Sequence, residues 1–163
     1  MTEELSKLRA HALKMGQVIG NLHALEMVLR AFLYRQEFQA DSSKAIRPAL
    51  FNLTEGDRVV ENYITNYDTL NTLIANYNQA VESIDSTLAV DNKIVKLRDA
   101  LAHGRILSNK EERPLRLFKF SKASDGQVTV THALVLTDQW FKDQLLRVRK
   151  EIQKVEAALE KIN

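Results

Sequence analysis

The chain has 163 residues, of which 45% are hydrophobic and 27% charged, with five glycines, two prolines and no cysteine. Such a chain can bury one substantial core and reads as a helix-rich globular protein rather than a disordered or fibrous one. The missing cysteine excludes a disulfide scaffold, a cysteine zinc site and a thiol nucleophile. A formal net charge of +2 conceals two blocks: Thr54 to Asp91 holds seven acidic residues and one basic, Asn92 to Lys122 nine basic and three acidic. The basic block either receives an anionic ligand or pairs with the acidic one in the fold. The first residues lack a basic region followed by an apolar run, and no run nears the roughly 18 apolar residues of a membrane span. A cytoplasmic protein with no membrane partner is expected.

From about Thr2 to Phe38 the chain predicts one long helix. Leu8, Met15, Leu22 and Leu29 recur every seven residues, and His11, Val18, Leu25 and Phe32 follow three positions behind each, a sustained heptad seam. Ile19, Val28 and Leu33 widen the stripe. Gly16 and Gly20 cost a helix roughly 1 kcal/mol each, which points to another helix crossing closely there. His11 reads as a core or interface histidine rather than a ligand, and Glu26 as a surface carboxylate or as the buried partner of a cation such as Arg98.

Gln39 to Asp57 is irregular, and Arg47-Pro48 argues against an unbroken helix there. Ala49, Leu50, Phe51 and Leu53 are expected to tuck against the bundle. After Gly56, the spacing of Val59, Val60, Tyr63, Ile64 and Tyr67, then Leu70, Leu73, Ile74, Tyr77, Ala80 and Val81, predicts one or two helices broken near Thr65 to Asp68, with Asp68 as a cap. The tyrosines fit the edge of a core better than stacking on nucleobases. Ser83 to Asp91 is a connection, and Asp91 can cap the next helix.

Beyond Gly104 the period falls from 3.6 to 2. Arg113 to Phe120 and Gln127 to Leu136 predict strands joined by a turn at Ser124-Asp125-Gly126, with Val128, Val130, His132, Leu134 and Leu136 on one face. Arg105 to Ser108 can add a third short strand. Thr137-Asp138 then caps a last helix whose Phe141, Leu145, Val148, Ile152, Val155, Leu159 and Ile162 form a second heptad seam. The two seams are natural partners, within one chain or across a dimer.

The most pointed stretch is Lys93 to Arg105. It reads as a helix burying Ile94, Leu97 and Leu101, with Gly104 as the left-handed residue that ends it. Arg98 and His103 stand five residues apart, about 140° around an ideal helix and about 7.5 Å along it. Asp99 is an i, i+4 neighbour of His103 and can orient its imidazole. No phosphate-binding glycine loop, His-Glu-x-x-His or Gly-x-Ser-x-Gly occurs, and the four histidines fall in different elements, so neither a metal nor a cofactor is expected.

Arg98-Asp99-Ala100-Leu101-Ala102-His103 resembles the R-[polar]-x-x-x-H motif of HEPN domains, helical bundles many of which are metal-independent endoribonucleases. The resemblance implies a mainly α, HEPN-like single domain over residues 1–163, with two long heptad-patterned helices and a β-hairpin inserted at about 105–136, before the last helix. It implies a homodimer, RNA or a nucleotide as ligand, and a toxin or phage-defence setting with an antitoxin or other protein partner. Arg98, Asp99 and His103 are then the catalytic residues. His103 suits proton transfer and Arg98 phosphate recognition, while Lys96 and Arg105 supply further phosphate contacts. A non-catalytic nucleotide-binding or dimerisation module of the same fold is the alternative, with Arg98 and His103 spent on helix capping.

Overall fold

A computed structural model describes residues 2–45, 50–107 and 114–162, with side chains from residue 8 onward apart from that of Leu50. Within them the protein is mainly helical: α1 (Thr2–Ala40), α2 (Leu70–Asp85), α3 (Lys93–His103) and α4 (Asp138–Lys161) accompany a small antiparallel sheet of β1 (Arg105–Leu107), β2 (Arg116–Phe120) and β3 (Val130–Val135). Arg47, Pro48, Ala49, Ser108 and Arg113 lie outside the described residues. None of the described helices is long and apolar enough to cross a membrane. The chain divides into two compact units, Met1–His23 with Lys93–Lys150 and Ala24–Asn92 with Glu151–Asn163.

In the first unit the sheet has β2 at its centre, antiparallel to both neighbours. Its hairpin turns through Asp125 and Gly126, both at positive φ (52° and 75°), the backbone that an Asp-Gly pair adopts most readily in a two-residue hairpin loop. Leu117, Leu136, Ile94, Leu97 and Ala100 are buried with Val18 and Leu22 of α1 and Phe141 and Val148 of α4. The α1 and α4 seams meet here within one chain: His11 stacks edge-on against Phe141 at 6.0 Å, and Lys14 Nζ pairs with Asp138 Oδ1 at 2.6 Å. Thr137 caps α4 by accepting the Trp140 N–H at 3.0 Å. Alternation fails at one place in β3. The pairing shifts between Lys119 and Phe120, so Val130 faces Phe120 in the register while His132 faces Lys119. The extra residue of a bulge thus moves Val130 away from the face of His132 and Leu134.

In the second unit, Leu25, Leu29, Phe32 and Leu33 of α1, Leu70, Leu73, Ile74, Tyr77 and Val81 of α2, and Val155 and Ala158 of α4 are fully or nearly fully buried. Phe32 meets Tyr77 edge-on at 4.9 Å, and the Tyr77 hydroxyl donates to the Leu88 carbonyl at 3.1 Å. Burial, with the charges of Glu151 and Asp85 behind it, pushes this phenol above its usual range. Also in this unit, Gln39 Nε2 of α1 donates to the Ile162 carbonyl at 3.2 Å.

Several sequence expectations are corrected. Residues 57–69 form no helix, and Thr69 rather than Asp68 caps α2, accepting the Thr72 N–H. Phe51 is fully exposed instead of tucked in, as is Tyr67. Glu26 pairs with Arg30, four residues on, and not with Arg98. No helix crosses at Gly16 or Gly20: a Cβ at either would meet no described atom within 4 Å. These glycines therefore carry their entropic cost with no packing return. Gly16→Ala and Gly20→Ala are each expected to stabilise the protein by about 0.5–1 kcal/mol, read as a raised urea midpoint.

Candidate functional site

The site is built on α3. Ile94, Leu97 and Ala100 hold this helix down, with Ala100 rather than Leu101 as the third fully buried position. Lys96, Asp99 and His103 then fall close to one line along its exposed side, spaced i, i+3 and i+7. Arg98 leaves about 140° away from His103 on the same geometry and is exposed. Neither Arg98 nor Lys96 has a hydrogen-bond or ion-pair partner among the described residues.

Gly104 ends the helix for a reason other than the one expected. Its φ lies outside the left-handed region, and its N–H completes a helical bond to the Ala100 carbonyl at 2.8 Å. What it provides is room. A Cβ there would lie 2.4 Å from that carbonyl oxygen and 2.7 Å from Leu117 Cδ2, so the missing side chain lets β2 pack against the end of α3. Gly104→Ala is expected to cost about 1–3 kcal/mol through overpacking, seen as a lower urea midpoint.

That packing sets the electrostatics. Asp99 sits between Lys119 and His103: one carboxylate oxygen forms a tight ion pair with Lys119 Nζ of β2, and the other lies 3.6 Å from His103 Nε2. Principally through the Lys119 hydrogen bond, and then through the charges of Lys119, His103 and Arg98, the Asp99 carboxyl is held below its usual range despite an opposing contribution from burial. The distance to His103 is long for a hydrogen bond. Asp99 is thus engaged chiefly by Lys119, and His103 has charge contact with it while its own side chain stays 62% exposed. The His103 imidazole is not consumed in capping the helix.

The structure therefore brings Asp99 and His103 together, adds Lys119, and leaves Arg98 and Lys96 reaching into solvent. Lys119 was not singled out in the sequence, where it is one of nine basic residues in its block; only the docking of β2 on α3 selects it. Arg105, the first residue of β1, lies with its guanidinium over the Phe120 ring, 5.3 Å from the centroid. On the α3-facing side of the sheet, His132 is paired in register with Lys119, and its Nδ1 is buried without a partner among the described residues.

Elsewhere the described residues offer less chemistry. No group of three or more His, Asp or Glu side chains among them could hold a metal ion. The second unit has an open cleft of about 500 Å³ with Leu33, Tyr63, Asn76 and Glu37 in its wall, but the Glu37 carboxylate already accepts the Tyr63 N–H at 3.1 Å. Comparison of the chain with protein-family models, with curated proteins and with solved structures found no match.

Proposed function

We propose that this chain is a metal-independent endoribonuclease of the HEPN type, acting as a cytoplasmic homodimer in a toxin or phage-defence setting. One observation supports this reading above the others: Arg98 and His103 remain exposed near the end of α3, with His103 beside a carboxylate held in an ion pair by Lys119. A module that used these residues only to cap the helix would spend them in bonds to loop carbonyls.

Metal-free cleavage requires proton transfer at the 2′-hydroxyl, a proton for the leaving 5′-oxygen and positive charge on the developing phosphorane. In this reading His103 takes the 2′-hydroxyl proton as the 2′-oxygen attacks phosphorus. The P–O5′ bond breaks, leaving a 2′,3′-cyclic phosphate and a 5′-hydroxyl. Arg98 grips the phosphate oxygens with its planar guanidinium, and Lys96 adds charge along the helix. Asp99, locked by Lys119, keeps a fixed negative charge near the imidazole and so acts as a positioning residue. A second copy of the site across the dimer supplies the acid for the leaving oxygen. The test is cleavage of a mixed RNA pool in EDTA by the native chain and by His103→Ala. Cleavage by the native chain alone is expected; equal or absent cleavage in both overturns the proposal in favour of a non-catalytic binding or dimerisation module.

A further inference from the structure

The two faces of the sheet differ sharply. Leu117 and Lys119 of β2 point toward α3, as their contacts with Gly104 and Asp99 show. Arg116, Phe118 and Phe120 alternate with them and therefore share the opposite face. Register brings Arg105 of β1 and Ala133 of β3 beside Phe118, and Leu107 and Val135 beside Arg116. The bulge in β3 adds Val130, which pairs with Phe120. Leu107, Val130 and Val135 are 54%, 50% and 42% exposed.

This face is more than an uncovered apolar surface. The Phe118 and Phe120 rings lie nearly parallel, with 26° between their planes and 6.4 Å between their centroids. Each carries a guanidinium: Arg116 Cζ stands 4.7 Å from the Phe118 centroid and Arg105 Cζ 5.3 Å from that of Phe120. Ring contact orients a guanidinium without using its N–H donors, and neither arginine has a carboxylate partner among the described residues. The three strands contain no Asp or Glu. Alternating π-surfaces and planar cations match the chemistry of unstacked bases joined by phosphates. A second copy docked face to face would instead gather four guanidiniums with no carboxylate from the strands to offset them. A duplex hides its base faces, and the deep, narrow major groove of A-form RNA excludes side chains.

We infer that the Phe118–Phe120 face of the sheet binds single-stranded RNA, with bases stacked on the two rings or on the guanidiniums covering them and phosphates held by Arg105 and Arg116. As the source of the substrate strand this rests on the ribonuclease reading. Arg105 is two residues beyond His103, so the β1 edge of this face and the backbone of His103 are at most about 7 Å apart along the chain.

The test uses fluorescein-labelled dodecauridine, followed by anisotropy with the full-length His103→Ala chain so that the probe is not cut. Replacing both phenylalanines (Phe118→Leu with Phe120→Leu) in that background is expected to raise Kd at least about tenfold, since each base stacked on a ring is worth several-fold or more in affinity. Replacing both arginines (Arg105→Gln with Arg116→Gln) alters only exposed side chains and keeps the test decisive if the phenylalanine variant folds poorly. It should lower the slope of log K against log salt by about 1.4, or roughly 0.7 for each single-strand phosphate that no longer meets a cation. Equal binding by all folded variants, an absence of binding by the parent, or full competition by duplex RNA of the same length would overturn the inference. So would Phe118→Glu halving the sedimentation mass while RNA binding persists, which would make this a self-association face. Cleavage of the mixed RNA pool, assayed separately in the chain with native His103, keeps the two readings apart. Binding as expected with no cleavage sinks the nuclease and leaves the platform standing. Native cleavage by a chain whose arginine variant binds and cuts unchanged sinks the platform alone.

Discussion

His103→Ala is expected to abolish RNA cleavage while leaving the protein folded. A positioned general acid or base contributes roughly 10²- to 10⁴-fold, so the loss should take the rate to the floor of a gel assay. Stability should change by no more than about 0.5 kcal/mol, as for most exposed substitutions, because the imidazole is largely exposed and its described ion-pair contact is the 3.6 Å approach to Asp99. Urea unfolding of both proteins, run beside the cleavage assay, separates these effects. Loss of activity with an unchanged midpoint supports the catalytic reading. A lowered midpoint with no chemistry to lose identifies a structural histidine. Arg98→Gln should act similarly, losing roughly 10²-fold if the guanidinium meets charge that develops only in the transition state.

The largest expected effect on stability lies elsewhere, at Arg30. This residue is only 8% exposed and gathers an entire loop. Its Nε and Nη2 donate to Glu26 Oε1 at 3.2 and 3.1 Å, and Nη2 also donates to the Asp68 carbonyl at 2.8 Å. Nη1 serves the Tyr63 carbonyl at 2.8 Å, the Asn66 carbonyl at 3.3 Å and Asn66 Oδ1 at 2.8 Å. Arg30→Met would fill similar space yet leave Glu26 without its cation and the loop carbonyls without donors. The expected cost is about 3–5 kcal/mol, that of breaking one side of a largely buried pair, measured by urea unfolding. Arg30→Lys should recover little, since a single ammonium cannot reproduce the planar fork. Amide exchange across residues 62–69 should rise in both variants. A cost below about 1 kcal/mol for Arg30→Met would show that this network does not hold the loop.

Arg30 also explains why the stretch before α2 misled a reading by periodicity. Val59 to Tyr67 has helical apolar spacing, but the carbonyls of Tyr63, Asn66 and Asp68 are taken by a side chain from α1, and Asn62 closes its own turn, its Oδ1 accepting the Ile64 N–H at 2.9 Å. A carbonyl held by a distant guanidinium competes with the i+4 ladder, and spacing along the chain carries no trace of that competitor.

Features whose cause is local could be read along the chain. The two heptad seams, the Thr137 cap, the Asp125-Gly126 turn and the alternation of β2 depend on neighbours within a few residues, and the elements they predict are present. The motif-bearing helix belongs here too, since the apolar spacing of Ile94 and Leu97 marks its buried side; whether Arg98 and His103 were exposed or spent in capping was decided only by the fold. Tertiary structure alone decided which groups from distant segments meet. It made Lys119 the partner of Asp99, turned Gly104 into a packing contact, left Gly16 and Gly20 in open space and moved Val130 through a bulge to the Phe120 side. Each of these depends on where a second element docks. That docking is set by the packing of whole surfaces and by charges far apart along the chain, which no single stretch of residues encodes.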